Sequence, residues 1–115
     1  MKKLLIIIPL SILIIFTLSA QQMQGTVVEN VILKSSILKE NIKLNIYLPP
    51  NYDTAQMRYP VVYLLHGMGQ NYMDWVKQGD AKRTTDSLIR IKAIPNMIIV
   101  MPDAGNTFFV NSVAG

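Results

Sequence analysis

Two uninterrupted apolar runs constrain the fold of this chain more than any other feature of its sequence. The first, Val61–Leu65, follows Pro60, and the second, Met97–Met101, ends at Pro102. Neither run alternates apolar with polar residues, and such a run is typical of a strand buried on both faces of a parallel sheet. Parallel neighbours need a crossover connection, which is usually a helix. The runs therefore predict a strand–helix–strand (βαβ) unit whose two strands are covered on both faces.

The helix of this unit is predicted between the two runs. Asp80 is suited to cap its first turn, the helix extends to about Lys92, and Pro95 closes the segment. Its predicted apolar stripe consists of three residues at helical spacing, Thr84, Leu88 and Ile91.

Upstream of the unit, Val27–Leu33 and Asn41–Leu48 alternate roughly between apolar and polar residues, as half-buried strands do. Four apolar residues of the second run share one face, namely Ile42, Leu44, Ile46 and Leu48. We expect a hairpin turn at Glu40 and Asn41, and the prolines at 49–50 end the second strand because proline cannot donate to a ladder. The predicted fold class is α/β, with an antiparallel β-hairpin leading into the βαβ unit.

The N-terminus has the order of a secretory signal peptide. Lys2 and Lys3 precede the apolar run Leu4–Leu18, and small and polar residues follow around Ala20. The run is short for a transmembrane helix, which needs ~20 apolar residues. We therefore interpret residues 1–20 as a signal peptide and expect a secreted or periplasmic protein. The alternative is an uncleaved anchor, which would be the chain's contact with the membrane.

Composition excludes several function classes. A chain of 115 residues allows one domain at most, and the absence of cysteine excludes a lipoprotein anchor, a disulfide framework and a thiolate metal site. Lys2 and Lys3 carry two of the +4 charges, and the other basic residues are scattered, so nucleic-acid binding has little support. His66 is the only histidine and no carboxylate cluster has ligand spacing. We expect no metal and no cofactor.

The most informative segment is Leu65–Gly69, at the C-terminal end of the first apolar run. Ligand sites of open α/β sheets gather at the carboxyl ends of the strands. Glycine lets the backbone come close to a ligand, and exposed N–H groups stabilise the oxyanion of an acyl-transfer intermediate by ~3 kcal/mol per donor. On spacing alone, a simple turn remains the other interpretation.

Four segments taken together resemble the esterase D-like branch of the α/β-hydrolase fold, which includes feruloyl and acetyl xylan esterases. They are Tyr47–Tyr52, Tyr59–Gly67, Asp74-Trp75 and Ile98–Asp103, and the resemblance covers essentially residues 26–111. It implies that residues 21–115 are the N-terminal part of the catalytic domain of a secreted serine carboxylic-ester hydrolase, and that this domain is incomplete within residues 1–115. The implied partner is a small-molecule or polysaccharide-linked ester.

The resemblance also implies roles for individual residues. In relatives, the residue after the His-Gly pair lends its backbone N–H to the oxyanion hole; here that residue is Met68, and Gly67 shapes the turn. The histidine of the pair is not the base of the catalytic triad, so we expect His66 to be held by hydrogen bonds. Trp75 is a candidate for lining the substrate pocket or for packing the loop over the site. Asp103 follows the end of the second apolar run, so we expect it to bond loop backbone, with a substrate contact as the alternative.

The nucleophile is where this chain departs from the family. Gly-x-Ser-x-Gly, the nucleophile elbow, does not occur in residues 1–115, and none of Ser35, Ser36, Ser87 and Ser112 has the flanking glycines. We therefore expect the chain alone to be inactive and to supply one oxyanion donor. The alternatives are a non-catalytic secreted binding module or remnant on an α/β scaffold, and a small interaction protein anchored by residues 4–18.

Overall fold

Four strands and two helices form the part of the chain that the computed structural model describes, which is residues 24–105 and Phe109. In chain order they are β1 (Thr26–Ser35), β2 (Glu40–Leu48), β3 (Val61–Tyr63), α1 (Asp74–Lys77), α2 (Ala81–Arg90) and β4 (Ile98–Pro102). The predicted signal peptide and Ser112 lie outside the described residues. Neither α1 nor α2 has the length and hydropathy to cross a membrane.

The strands form one sheet in the order β1-β2-β4-β3. β1 pairs antiparallel with β2, and β2 pairs antiparallel with β4, where Ile46 faces Val100. β3 and β4 are parallel, with Val62 opposite Ile99. The predicted α/β class, a hairpin leading into a βαβ unit, is confirmed. Because β3 and β4 are parallel neighbours, their carboxyl ends lie at the same edge of the sheet.

The hairpin turn lies at residues 36–39, so its prediction at Glu40 and Asn41 is wrong. Both residues belong to β2, where Glu40 pairs with Ser35. The turn closes earlier because the Ser35 hydroxyl accepts a hydrogen bond from Leu38 N at 3.0 Å and Lys39 adopts a left-handed φ of 55°. Ser35 is therefore the last residue of β1, and its hydroxyl closes the turn.

The core lies where α2 covers β2 and β4. It is formed by Tyr47, Ala81, Ile99 and Met101. The predicted stripe of α2 is wrong, because the buried residues of the helix are Ala81 and Thr85, whereas Ile91 is 66% exposed. These small side chains let the helix lie close to the sheet, where the large side chains of Tyr47 and Met101 are fully buried.

The ends of α2 also differ from expectation. Asp80 occupies the N-cap position with a left-handed φ of 48°, but its side chain makes no capping hydrogen bond and instead pairs with Arg83. The helix ends at Arg90 rather than Lys92, because Lys92 turns left-handed and donates its N–H to Ile89 O at 2.9 Å. This is the geometry of a Schellman C-terminus.

β3 is shorter and more exposed than predicted. It ends at Tyr63 rather than Leu65, and Val61 and Tyr63 are 48% and 67% exposed. Leu64 N still donates to Val100 O at 2.9 Å, so the chain stays beside β4 for one further residue. The expectation of cover on both faces fails here because β3 is the edge strand of the described sheet, with β4 as its neighbour on one side.

Candidate active site

A tight turn follows β3 at the carboxyl edge of the sheet, and it contains Gly67 and Met68, the two residues that the resemblance connects with the oxyanion hole. Gln70 N donates to Gly67 O at 3.1 Å, and Gly69 has a φ of +77°. Met68 is not among the residues with positive φ, so Gly67–Gln70 is a type II turn with Met68 at its second position. Gly69 is required at the third position because only glycine adopts this φ without strain.

The first two amides of this turn have different surroundings. Gly67 N donates to the Gln70 side-chain oxygen Oε1 at 2.9 Å. Within residues 24–105, no acceptor bonds to Met68 N–H, and the Met68 side chain is 75% exposed. Among the described residues, the Met68 N–H is therefore left without an acceptor, whereas the Gly67 amide is already bonded.

His66, just before the turn, is buried and uses both of its ring nitrogens. Ala104 N donates to Nε2 at 3.1 Å, so Nε2 is an acceptor and the proton lies on Nδ1, which donates to Gly67 O at 2.9 Å. A ring engaged in this way is not placed to act as a general base. The prediction that hydrogen bonds hold His66 at the strand end is confirmed.

Asp103 lies beside this histidine, at the end of β4. Its Oδ1 accepts from Gly105 N at 3.1 Å and is 3.3 Å from His66 Nε2. The prediction that Asp103 bonds loop backbone is confirmed. The hydrogen bond from Ala104 N to His66 Nε2 joins the loops that follow the two parallel strands, and Asp103 holds the second of these loops through Gly105 N.

Trp75, in α1, packs against the core and donates its indole N–H to Leu65 O at 3.0 Å. A Cβ on Gly79 would lie only 2.7 Å from the Trp75 ring, so the indole is held closely from its other side. The predicted packing of this loop is confirmed. A contact between Trp75 and substrate stays a prediction.

Sequence reasoning missed Asn45, whose side chain is fully buried in β2. Its Oδ1 accepts from Asn30 N at 2.9 Å and its Nδ2 donates to Tyr72 O at 3.1 Å, so it ties a bulge of β1 to the chain after the turn. The available signal was a polar residue between two apolar ones, Leu44 and Ile46. Strict alternation assigned that position to a polar face.

A second polar cluster, formed by Gly25, Tyr47, Lys82 and Asp86, lies away from the turn. Asp86 Oδ1 accepts from Gly25 N and from the Tyr47 hydroxyl, both at 2.8 Å, and Oδ2 accepts from Lys82 Nζ at 2.7 Å. Burial opposes the Asp86 carboxylate, but these three hydrogen bonds outweigh burial and lower its pKa below the ordinary 3.8. Burial, and then the neighbouring carboxylate, raise the pKa of Tyr47 above its usual range.

This second cluster is structural. A Cβ on Gly25 would lie 2.4 Å from the Tyr47 ring, so the close approach of the chain requires glycine there. A groove of about 1110 Å³ runs beside the cluster between β1 and α2, but its lining contains no residue of the turn. Among the described residues, no three acidic or histidine side chains lie close enough to hold a metal ion.

Comparisons with known proteins agree with this geometry. The family model described as "Putative esterase" matches residues 35–113. The endo-1,4-beta-xylanase/feruloyl esterase of Xylanibacter ruminicola is 44% identical over 61 residues, which are 50% of this chain and 8% of that protein.

Solved structures give the same family. A ferulic acid esterase superposes with a TM-score of 0.68 and 34% identity, over 73% of this chain and 32% of that one. A CE1 ferulic acid esterase from Anaeromyces mucronatus, solved in complex with ferulic acid, has a TM-score of 0.63 and 27% identity, over 78% and 32% of the two chains. The chain thus spans about a third of the length of these solved relatives. Since the family model matches more than half of its residues, the chain belongs to the esterase family that this model describes as "Putative esterase", on an α/β-hydrolase fold.

Proposed function

We propose that this chain is the N-terminal part of a secreted serine carboxylic-ester hydrolase for feruloyl-type esters, in which Met68 N–H is one donor of the oxyanion hole. One observation carries the proposal. Met68 lies on a tight turn at the carboxyl edge of two parallel strands, where its N–H has no acceptor among the described residues and the amide before it is already bonded. The names of the relatives, feruloyl and ferulic acid esterases, support the substrate class.

The proposed role follows from the charge that develops during acyl transfer. When a nucleophile attacks an ester, the carbonyl oxygen becomes an oxyanion, and an N–H held about 2.7–3.1 Å from that oxygen stabilises it. Met68 N–H belongs to a turn that is closed by hydrogen bonds before any substrate arrives. Little reorganisation is then needed at the moment of reaction, and one such donor accounts for a factor of about 10²–10³ in kcat.

The nucleophile has to come from outside residues 1–115, because Gly-x-Ser-x-Gly is absent from them. Ser35 ends β1, Ser36 lies in the hairpin turn and Ser87 in α2, so none of them lies on the strand-to-helix turn that this chemistry uses. The complete enzyme in this proposal forms an acyl-enzyme on a serine supplied by a longer polypeptide, and water then releases the acid.

The test uses a reference enzyme, defined as the complete polypeptide of the reading frame that contains residues 1–115. Where that frame stops at residue 115, the reference enzyme is a chimera in which residues 24–105 replace the matching segment of the ferulic acid esterase of solved structure. We expect the reference enzyme to hydrolyse methyl ferulate, and residues 1–115 alone to leave both methyl ferulate and p-nitrophenyl acetate at background.

The decisive variant is Met68→Pro, which removes the amide hydrogen at a turn position that proline favours. We expect kcat to fall about 10²-fold with little change in KM. Met68→Ala, which keeps the N–H, is the matched control and should stay within about twofold of the reference. A fully active Met68→Pro variant would contradict the role of this amide. Saturable turnover by residues 1–115 alone, blocked by a serine-directed phosphonate, would contradict the missing nucleophile.

Export is tested separately. Residues 1–25 fused to alkaline phosphatase, which is active only after export, should give activity in a bacterial periplasm. The mass of the exported fusion then separates a cleaved signal peptide from an uncleaved anchor. Activity equal to that of the leaderless phosphatase would rule out secretion.

A further inference from the structure

Gln70 contacts the turn through both its backbone and its side chain. Its backbone N donates to Gly67 O at 3.1 Å, and its side-chain Oε1 accepts from Gly67 N at 2.9 Å. The amide and the carbonyl of Gly67 are therefore both bonded to the same residue. Glycine at position 67 leaves room for this side chain, because a Cβ there would lie 3.0 Å from Gln70 Oε1.

The hold on Gly67 determines where the Met68 amide points. Gly67 C=O and Met68 N–H belong to one planar trans peptide group, in which the N–H points opposite to the carbonyl. Gly67 O accepts from Gln70 N on one side and from His66 Nδ1 on the other, so both of its lone pairs are used. A carbonyl held by two donors fixes the direction of the N–H across the same peptide.

The preceding peptide needs its own restraint. Gly67 and Gly69 both lack a Cβ, so the backbone on either side of Met68 has more freedom than at other residues. Trp75 holds Leu65 O, one residue upstream of His66, but Gly67 N–H has Gln70 Oε1 as its partner. Without that oxygen, Gly67 N–H is unbonded and the peptide that leads into the turn can rotate.

We propose that Gln70 is a positioning residue, whose side-chain oxygen holds the Gly67 amide and thereby keeps the Met68 N–H aimed at the developing oxyanion. This inference rests on the proposed function. Gln70 touches no reacting atom and acts through the backbone of Gly67 and Met68. Its side chain is exposed, so it contributes to the geometry of the turn more than to the stability of the fold.

The experiment compares Gln70→Ala with Gln70→Glu in the reference enzyme. Gln70→Ala should lower kcat for methyl ferulate about tenfold and leave KM within about twofold, because misaimed donors lose transition-state stabilisation and not substrate binding. Gln70→Glu keeps an acceptor oxygen at the same distance along the side chain, so it should restore kcat to within about twofold of the reference. Gln78→Ala, which removes an exposed glutamine bonded only to Asp74, is the matched control and should keep full activity.

Amide hydrogen exchange supplies a readout that does not depend on turnover. Gly67 N–H should exchange slowly in the unmodified protein and in Gln70→Glu, and quickly in Gln70→Ala. Met68 N–H should exchange quickly in all three. The melting temperatures should agree within about 2 °C, since exposed substitutions rarely change stability by more than about 0.5 kcal/mol.

The outcomes separate this inference from the proposed function. A reference enzyme that hydrolyses methyl ferulate, with Gln70→Ala within twofold of it, would overturn the role of Gln70 and leave the proposed function standing. Equal losses of kcat in Gln70→Ala and Gln70→Glu would overturn the acceptor role of Oε1. An inactive reference enzyme would overturn the proposed function, and fast exchange at Gly67 in that protein would overturn the positioning role as well.

Discussion

Two halves of the same sheet differ sharply in burial. In β2 and β4, the side chains of Tyr47 and Met101 are fully buried, whereas in β3 Val61 and Tyr63 are 48% and 67% exposed. All three strands are rich in apolar residues. The difference lies in their neighbours, because β4 has a strand on each side and α2 over its face, and β3 has β4 alone within the described chain.

The comparison separates a covered part of the sheet, formed by β2 and β4 and here called the complete half, from β3, here called the open half. An apolar edge strand is a hazard, because its unpaired N–H and C=O groups pair readily with other chains, and edges are usually protected by charges or proline. β3 consists of Val61, Val62 and Tyr63, which carry no charge, although Pro60 lies directly before it. We therefore expect β3 to be covered in the complete esterase.

The largest effect should separate the two halves directly. Met101→Ala removes a fully buried side chain from the complete half and should cost about 2–5 kcal/mol in urea unfolding, followed through Trp75 fluorescence. Val61→Ala in the open half should cost less than about 1 kcal/mol in residues 1–115, and about 2 kcal/mol in the reference enzyme, where β3 gains cover. Equal costs for Val61→Ala in the two proteins would break the comparison.

The polar cluster of the complete half gives the next effect. Asp86→Asn removes the carboxylate that accepts from Tyr47, Gly25 and Lys82, and should destabilise by about 1–2 kcal/mol. Lys82→Ala removes only the partly exposed partner and should cost about 0.5 kcal/mol or less. The free energy of unfolding at neutral pH checks both. A larger loss for Lys82→Ala than for Asp86→Asn would show that the buried bonds to Asp86 contribute little.

The same carboxylate predicts a dependence of stability on pH. The folded pKa of Asp86 is lower than its unfolded value near 3.8, so its contribution is fully present above that value and is lost as the pH falls through the folded pKa. Unfolding free energies measured from pH 6 down to pH 2 should therefore converge for the unmodified protein and Asp86→Asn. Parallel curves over this interval would be evidence against the lowered pKa.

The smallest effect on stability should occur in the open half. Tyr63→Lys replaces an exposed side chain on β3 and should change the free energy of unfolding of residues 1–115 by about 0.5 kcal/mol or less. It should nevertheless raise the monomer fraction in sedimentation velocity, because a lysine on an edge strand opposes strand pairing. Residues 1–115 that are fully monomeric before this substitution would argue that the open edge needs no cover.

The sequence predicted the order and type of the main elements because apolar runs and alternation reflect local pattern. The prediction that both faces of β3 are buried was wrong, because burial depends on which strands lie beside it. An apolar run such as Val61–Leu65 can form either an edge strand or a central strand of a sheet. The apolar face of α2 was misplaced for a similar reason. Ala81 and Thr85 carry weak apolar signals, yet both are buried, and Ala81 packs in the core with Tyr47.

In the candidate site too, the residues that a local pattern marks were predicted, and the residues whose role depends on the three-dimensional fold were missed. The strand end and its glycines marked the segment Leu65–Gly69, which is a local pattern, and the resemblance to esterases then assigned roles to Gly67 and Met68 within it. Gln70 and Asn45 were missed because glutamine and asparagine have no preference that marks a turn-holding or buried role. Both roles depend on where a side chain folds back in three dimensions, toward Gly67 N in one case and toward Asn30 N and Tyr72 O in the other.

The imidazole of His66 limits the length of the chain that can follow β4. Its ring spans from Gly67 O to Ala104 N, so it measures the distance between the chain after β3 and the chain after β4. One residue inserted between Pro102 and Ala104 adds up to about 3.3–3.6 Å of chain, more than a hydrogen bond tolerates. In related proteins, insertions in the chain after β4 are therefore expected beyond Gly105. To transfer the turn to another sheet, residues 66–70 and residues 103–104 would have to be moved together.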